Sequence, residues 1–192
     1  MVKRCLLCSL AVLLLVPVSA LVAQSNFAKE DFSAIAIVNN NIASGMDRVQ
    51  IHVNRWSSVD ERDLLSKTLL SRCAEQQLKD LMQISPVGTI RTPDTLAYDL
   101  HYAYQRPSED GGRDIILATD RPMSFWEVRN QPRSVDYPFT VIQMNLNRDG
   151  QGKGTLSYAT KIRVVNENTI ELENFGTTPV LLTEIRAERP RD

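Results

Sequence analysis

The chain has 192 residues, with 22 Lys plus Arg against 23 Asp plus Glu, and 43% of its residues are hydrophobic. Its formal net charge of -1, without a block of like charge, offers no electrostatic surface for nucleic acid, so we expect no nucleic-acid partner. The ordinary balance of apolar and charged residues also excludes a disordered chain. The composition therefore predicts a folded globular protein.

Residues 1–23 have the pattern of a secretory signal peptide. Two basic residues precede an apolar run over 5–18, and small residues follow that run. Cleavage after Ala20 and cleavage after Ala23 both fit the pattern, and both stay open. We therefore expect an exported protein, secreted or in the bacterial periplasm, whose mature chain has no integral membrane segment.

The mature chain is predicted to be a single globular domain over 24–192. No Gly/Ser/Pro-rich linker and no internal repeat divides this stretch. Two of the three cysteines lie within residues 1–23, so removal of the signal peptide leaves Cys73 alone. An oxidising compartment would then find no intramolecular disulfide to form, so stability has to come from the core.

An opening hairpin and a helix are predicted first. Two apolar stretches, 34–38 and 49–53, flank a turn rich in Asn, as in a hairpin. The spacing of apolar residues then changes to three and four, which predicts one long amphipathic helix at about 58–82. Ser58 at the N-cap with Glu61 three residues later forms a capping box, which indicates where the helix begins.

After the predicted helix, apolar and polar residues alternate again with a period of two, as in β-strands. Further strands are predicted at 96–104, 115–118, 139–146, 155–165, 169–173 and 180–186. In the first of these, Leu100 and Tyr102 fall on the same face, whereas the second is apolar on both faces, as expected for a central strand. The sequence therefore predicts an α+β, β-rich fold in which about eight or nine antiparallel strands form a sandwich or a partly closed barrel.

The segment 120–139 interrupts this alternation with three prolines, three arginines and four aromatic residues. Long ordered loops in compact domains often carry function, so this segment is the predicted ligand or partner site. The predicted binding residues are its arginines and two of its aromatic side chains, namely Arg121, Phe125, Trp126, Arg129 and Arg133. The alternative is that the two aromatic side chains fill one end of the sheet core.

Four stretches together resemble a known family. They are VQIHVNRWSSVDERDLL at 49–65, VGTIRTPDTLAYDLHYA at 87–103, RDIILATDRPMSFWE at 113–127 and NTIELENFGTTPVLL at 168–182. The set resembles a family of small secreted bacterial proteins of unknown function, over most of the mature chain. The resemblance implies export and a single domain, and it implies no activity and no site residue.

Familiar catalytic and cofactor-binding motifs are absent from the sequence. His52 and His101, the two histidines, have no spacing typical of metal ligands. Cys73 falls in the apolar stripe of the predicted helix, where a cysteine behaves as a small hydrophobic side chain. The stretch 150–155 is rich in Gly and contains a Lys, but a strand follows it, whereas a phosphate-binding loop precedes a helix. We therefore predict no cofactor and no metal site, and we assign no catalytic residue.

Two hypotheses for function follow. The first is a non-catalytic binding module in which the segment 120–139 contacts a small molecule or a protein. The second is a hydrolase or isomerase of unfamiliar type that uses Asp99, His101 or Asp120 near a pocket. This second hypothesis requires these side chains to converge within about 3 Å of a shared substrate position. A purely structural or assembly role is the third possibility.

Overall fold

A computed structural model describes residues 29–39, 44–70, 74–120, 137–166, 169–174 and 178–188. Within these ranges the chain forms ten strands and two helices. In chain order they are β1 (Glu30–Asn39), β2 (Ser44–Val53), α1 (Val59–Leu70), α2 (Ala74–Gln83), β3 (Gly88–Arg91), β4 (Tyr98–Leu100), β5 (Tyr102–Pro107), β6 (Arg113–Thr119), β7 (Phe139–Leu146), β8 (Gln151–Asn166), β9 (Thr169–Asn174) and β10 (Val180–Glu188). The predicted signal peptide at 1–23 lies outside the described residues.

The ten strands form one antiparallel sheet. Backbone hydrogen bonds join them in the order β4-β3-β2-β1-β10-β8-β7-β6-β5, and β9 pairs with β8. The structure thus confirms a β-rich antiparallel fold and gives the sheet a barrel-like form. Neither helix in the described part of the chain is long and apolar enough to cross a membrane.

The two ends of this strand order are neighbours in the chain, because only His101 separates β4 from β5. β4 pairs with β3 and β5 pairs with β6, so one extended stretch joins both edges and nearly closes the sheet. The His101 backbone N–H donates to the Ala118 carbonyl (3.0 Å), and its ring Nδ1 lies 2.7 Å from the Ile84 carbonyl oxygen. The faces change at this joint, since Leu100 lies in the interior core and Tyr102 packs outside. The expectation that Leu100 and Tyr102 share a face is therefore wrong.

Aliphatic side chains fill the interior of the barrel. In most of the strands alternate residues point inward, which is why the apolar residues recur with a period of two. The largest fully buried side chains come from eight different strands and are Phe32, Ile51, Ile90, Leu100, Ile115, Leu117, Ile142, Leu146, Leu156, Leu182 and Ile185. Each contributes about 1.5–3 kcal/mol relative to exposure, so this core is the main source of stability.

An ion pair spans one end of the interior. Glu30 precedes the inward Phe32 of β1 by two residues, and Arg113 precedes the inward Ile115 of β6 by two residues, so both side chains face inward. The guanidinium donates to both carboxylate oxygens of Glu30 and, through Nη1, to Gln105 Oε1 at 2.9 Å. The two side chains are only 24% and 20% exposed. A bidentate bond of this kind holds β1 to β6 across the barrel.

Two short helices replace the single long helix that the sequence predicts at about 58–82. The Thr68 hydroxyl donates to the Asp80 carboxylate, and Gln77 Nε2 lies 3.4 Å from the Leu69 carbonyl oxygen. In one continuous helix, residues twelve positions apart would be separated by about 18 Å. The chain therefore folds back on itself. The apolar period runs on through both helices because both face the same sheet surface, and periodicity alone does not reveal the reversal.

The predicted capping box is present at the start of α1. The Ser58 backbone N–H donates to Glu61 Oε2 at 2.8 Å, and the Glu61 backbone N–H donates to Ser58 Oγ at 3.2 Å. The Glu61 carboxylate also receives two bonds from Arg55, each 2.9 Å. These bonds hold the pKa of Glu61 below its ordinary value. The helix start is thus fixed by local contacts that the sequence pattern already contains.

Candidate functional site

A cleft lies between the two helices and the outer face of strands β5 to β9. It encloses about 770 Å³, counting the part that opens to solvent. Most of its wall is apolar, with contributions from both helices and from the sheet: Leu65, Leu69, Leu81, Ile116, Phe139 and Val141. Ligand-binding pockets in proteins are typically concave and mainly apolar with a few polar groups, and this cleft has that character.

The wall exists because two strands are apolar on both faces. On β6, Leu117 lies in the interior core while Ile116 lines the cleft, and on β7 Ile142 and Val141 divide in the same way. The sequence predicts 115–118 to be apolar on both faces, and the structure confirms it. The helices supply the second apolar environment, since a strand covered on both sides can be apolar throughout.

The opposite side of the barrel presents polar side chains. On the outer face of β1 and β2, His52 Nδ1 lies 2.9 Å from Asp31 Oδ1. On neighbouring β3, Arg91 donates to Gln50 Oε1 at 2.7 and 2.9 Å. Such polar contacts are typical of a sheet face that is exposed to solvent. The apolar character of the cleft is therefore a local property of β5 to β9.

Arg62 is the charged residue among the described residues that line the cleft. Its position follows from α1, because it precedes Leu65 by three residues and Leu69 by seven and so lies on their face of the helix. The guanidinium lies over the Tyr104 ring, 5.1 Å from its centroid. Within the described part of the chain its Nε is buried without a hydrogen-bond partner, and no carboxylate forms an ion pair with it.

Tyr102 lies beside Arg62 in the wall of the cleft. Burial raises the pKa of its phenol to about 12, and the nearby charge of Arg62 opposes that rise. The hydroxyl is therefore protonated at physiological pH and can donate a hydrogen bond. Arg62 and Tyr102 together place a cation and a neutral donor at one part of an apolar cleft.

Gln77 adds an unpaired acceptor to the wall. The side chain is 4% exposed. Its Nε2 makes a long contact of 3.4 Å to the Leu69 carbonyl oxygen, and its Oε1 is buried with no hydrogen-bond partner among the described residues. A buried acceptor without a partner costs about 1–3 kcal/mol, and such groups are uncommon in native proteins.

The binding residues predicted from the sequence, Arg121, Phe125, Trp126, Arg129 and Arg133, lie outside the described residues. Their roles stay predictions. The chain on either side of them is described, and it borders the cleft, since Ala118 and Phe139 both line it.

Apart from Phe139, at the end of the predicted segment 120–139, the residues that line the cleft were not predicted as site residues from the sequence. One signal could have found Arg62, because it is a cation inside the apolar repeat of a helix. No comparable signal exists for Tyr102, whose outward face follows from the change of partner strand at His101.

The three residues of the hydrolase hypothesis have different surroundings in the structure. Asp99 is exposed on β4, whereas His101 is 8% exposed and its Nδ1 lies at the Ile84 carbonyl oxygen. Asp120 Oδ1 lies 3.4 Å from Thr119 Oγ1. Within the described ranges no hydrogen bond or ion pair joins the three residues, and no group of three or more His, Cys, Asp and Glu could hold a metal ion.

Comparison of the chain with protein-family models, with curated proteins and with solved structures gives no match. The geometry and chemistry of the cleft are therefore the features of the chain that bear on its function.

Proposed function

We propose that the chain is an exported, non-catalytic binding module whose site is the cleft between the helix pair and the outer face of β5 to β9. The observation that carries the proposal is an apolar cleft, open to solvent, whose lining also contains buried polar atoms without partners in the described part of the chain. An apolar wall with a few placed polar groups is the usual composition of a small-molecule site.

Export is part of the same proposal and is supported by the signal-peptide pattern at 1–23. A binding module needs no catalytic constellation. The cleft lining is consistent with that role, because Arg62 is the single ionisable group besides Tyr102 among its described lining residues. General acid–base chemistry would require a group that titrates near neutral pH within reach of the ligand.

The proposal is tested with Nile red, a neutral apolar dye whose fluorescence rises in apolar surroundings. We expect the mature chain to bind it with one-to-one stoichiometry. The variant Ser66→Trp places a large side chain at an exposed position of the cleft lining, so it should weaken dye binding at least about tenfold. The control is Lys67→Trp, which introduces the same side chain at the next exposed position, outside the lining.

Three outcomes of the dye-binding experiment lead to different conclusions. Loss of dye binding in Ser66→Trp with retention in Lys67→Trp supports the cleft as the site. Absence of dye binding by the unaltered mature chain would overturn the proposed function. Equal binding by the two variants would place the dye elsewhere and would overturn the assignment to this cleft.

A further inference from the structure

The charge of Arg62 has no anionic partner among the described residues. Its neighbour Glu61 is occupied, since both of its carboxylate oxygens receive bonds from Arg55. A cation against an apolar wall is poorly stabilised unless an anion accompanies it. The missing partner is therefore of the kind that a bound ligand can supply.

The donors at this position suit a carboxylate. The contact with the Tyr104 ring, 5.1 Å from the guanidinium carbon to the ring centroid, supplies no oxygen acceptor to Arg62, and the buried Nε has no hydrogen-bond partner among the described residues. The planar edge of the guanidinium matches the two oxygens of a carboxylate, and the protonated Tyr102 hydroxyl adds a third donor beside it. Because Arg62 is the one cation of the described lining, the electrostatics favour a single negative charge over a dianion such as a phosphate monoester.

The rest of the wall suits an alkyl chain. Away from Arg62 the lining is dominated by aliphatic side chains from the helices and from the sheet, such as Leu65, Ile116, Ile162 and Leu172. The remaining polar lining residues are uncharged, so none of them requires a second charged group on the ligand. Burial of each methylene against such a wall contributes about 0.8 kcal/mol.

We propose that the cleft binds a single-chain carboxylate, with the carboxylate at Arg62 and Tyr102 and the alkyl chain along the wall formed by α1 and β6. This inference rests on the proposed function and names the ligand class of the same site.

The test compares two probes that share a chain and differ in the head group, decanoate and decan-1-ol, in displacement of Nile red at neutral pH. We expect decanoate to bind at least about tenfold more tightly than the alcohol, because hydrogen bonds to a charged group are stronger than hydrogen bonds to a neutral hydroxyl. The variant Arg62→Gln should remove this preference and leave binding of the alcohol within about threefold. The variant Tyr102→Phe should reduce the preference in part.

Arg106→Gln is the matched control, because it removes the same charge from an exposed position on β5 outside the lining. It should leave the preference intact. Equal affinity for the two probes, or an equal effect of Arg62→Gln and Arg106→Gln, would overturn the carboxylate inference while the binding function stands. Failure of both probes to displace a dye that does bind would also overturn the ligand class. Absence of dye binding would overturn the proposed function itself.

Discussion

The molecule has two apolar regions, and they differ in how completely they are filled. The barrel interior is packed with side chains such as Leu117 and Ile142, both fully buried, and an ion pair between Glu30 and Arg113 spans one end. The cleft on the outer face is also apolar, yet it opens to solvent and holds buried polar atoms without partners among the described residues. A filled core stabilises a fold, whereas an open apolar cleft exposes surface that a ligand can bury.

The two regions are separated by the thickness of one strand. Because neighbouring residues on β6 point to opposite sides, the sequence can adjust stability and binding almost independently. The comparison predicts that substitutions inside the barrel change the free energy of unfolding most. Substitutions in the cleft should act on ligand affinity more than on stability.

The largest effect is expected from Leu117→Ala. It removes a fully buried side chain from the interior and should lower the free energy of unfolding by about 2–5 kcal/mol in urea titrations. Its neighbour Ile116 is the matched position on the cleft side. Ile116→Ala should cost only about 1 kcal/mol and should weaken Nile red binding. Equal losses of stability at the two positions would contradict the prediction that the barrel interior contributes more to stability than the cleft does.

The ion pair across the barrel should give the next largest effect. Arg113→Met leaves the Glu30 carboxylate without its bidentate partner, and we expect a loss of about 1–3 kcal/mol because the pair is partly exposed. The control is Arg106→Met, whose exposed pair with Asp114 should contribute less than about 1 kcal/mol. Urea unfolding measures both variants. Equal losses would show that the Arg113 pair acts as an ordinary surface pair.

The buried phenol of Tyr102 should make the free energy of unfolding depend on pH. Burial raises its pKa in the folded protein to about 12, above the ordinary value of 10, so the unfolded chain ionises first as the pH rises. Because the folded protein favours the protonated phenol, its stability is unaffected by this group below about pH 10. The free energy of unfolding then falls between about pH 10 and 12, where the unfolded chain ionises and the folded protein does not. Relative to Tyr102→Phe, the unaltered protein should lose up to about 2 kcal/mol over that interval. Parallel pH profiles of the two proteins would contradict a buried phenol.

The smallest expected effect is a gain in stability. Gln77→Met replaces the unpaired buried acceptor with an apolar side chain and should raise the free energy of unfolding by about 1 kcal/mol. Gln76→Met is the control, since Gln76 Nε2 donates to Asp80 Oδ1 at 2.7 Å and its loss should destabilise. A loss of stability in Gln77→Met would show that the Gln77 acceptor is satisfied.

Local patterns in the sequence predicted much of the fold. Alternation with a period of two predicted most of the strands, a continuous apolar run predicted that 115–118 is apolar on both faces, and Ser58 with Glu61 predicted the capping box. The short strand β3 was not predicted. The reversal between α1 and α2 was missed, because both helices present apolar residues to one surface and keep the same period. The change of face at His101 was missed for a different reason, since it arises where the chain leaves its pairing with β3 and begins to pair with β6, and local alternation does not record the partner strand.

The candidate site was less predictable than the fold. A cleft forms only where elements distant in the chain meet, such as Leu65 on α1 and Ile116 on β6, and no local pattern records that meeting. The sequence instead favoured 120–139, whose residues 121–136 lie outside the described ranges. Its predicted binding residues therefore stay a prediction beside the cleft.

The most direct test of the proposed cleft site is methyl NMR of the protein during titration with decanoate. We expect saturable shifts of the methyl signals of Ile116 and Leu65, which line the cleft, while the signals of Leu117 and Ile142 in the barrel interior shift little. Absence of saturable shifts, or shifts confined to the interior methyl groups, would contradict the proposal that the outer cleft is the binding site.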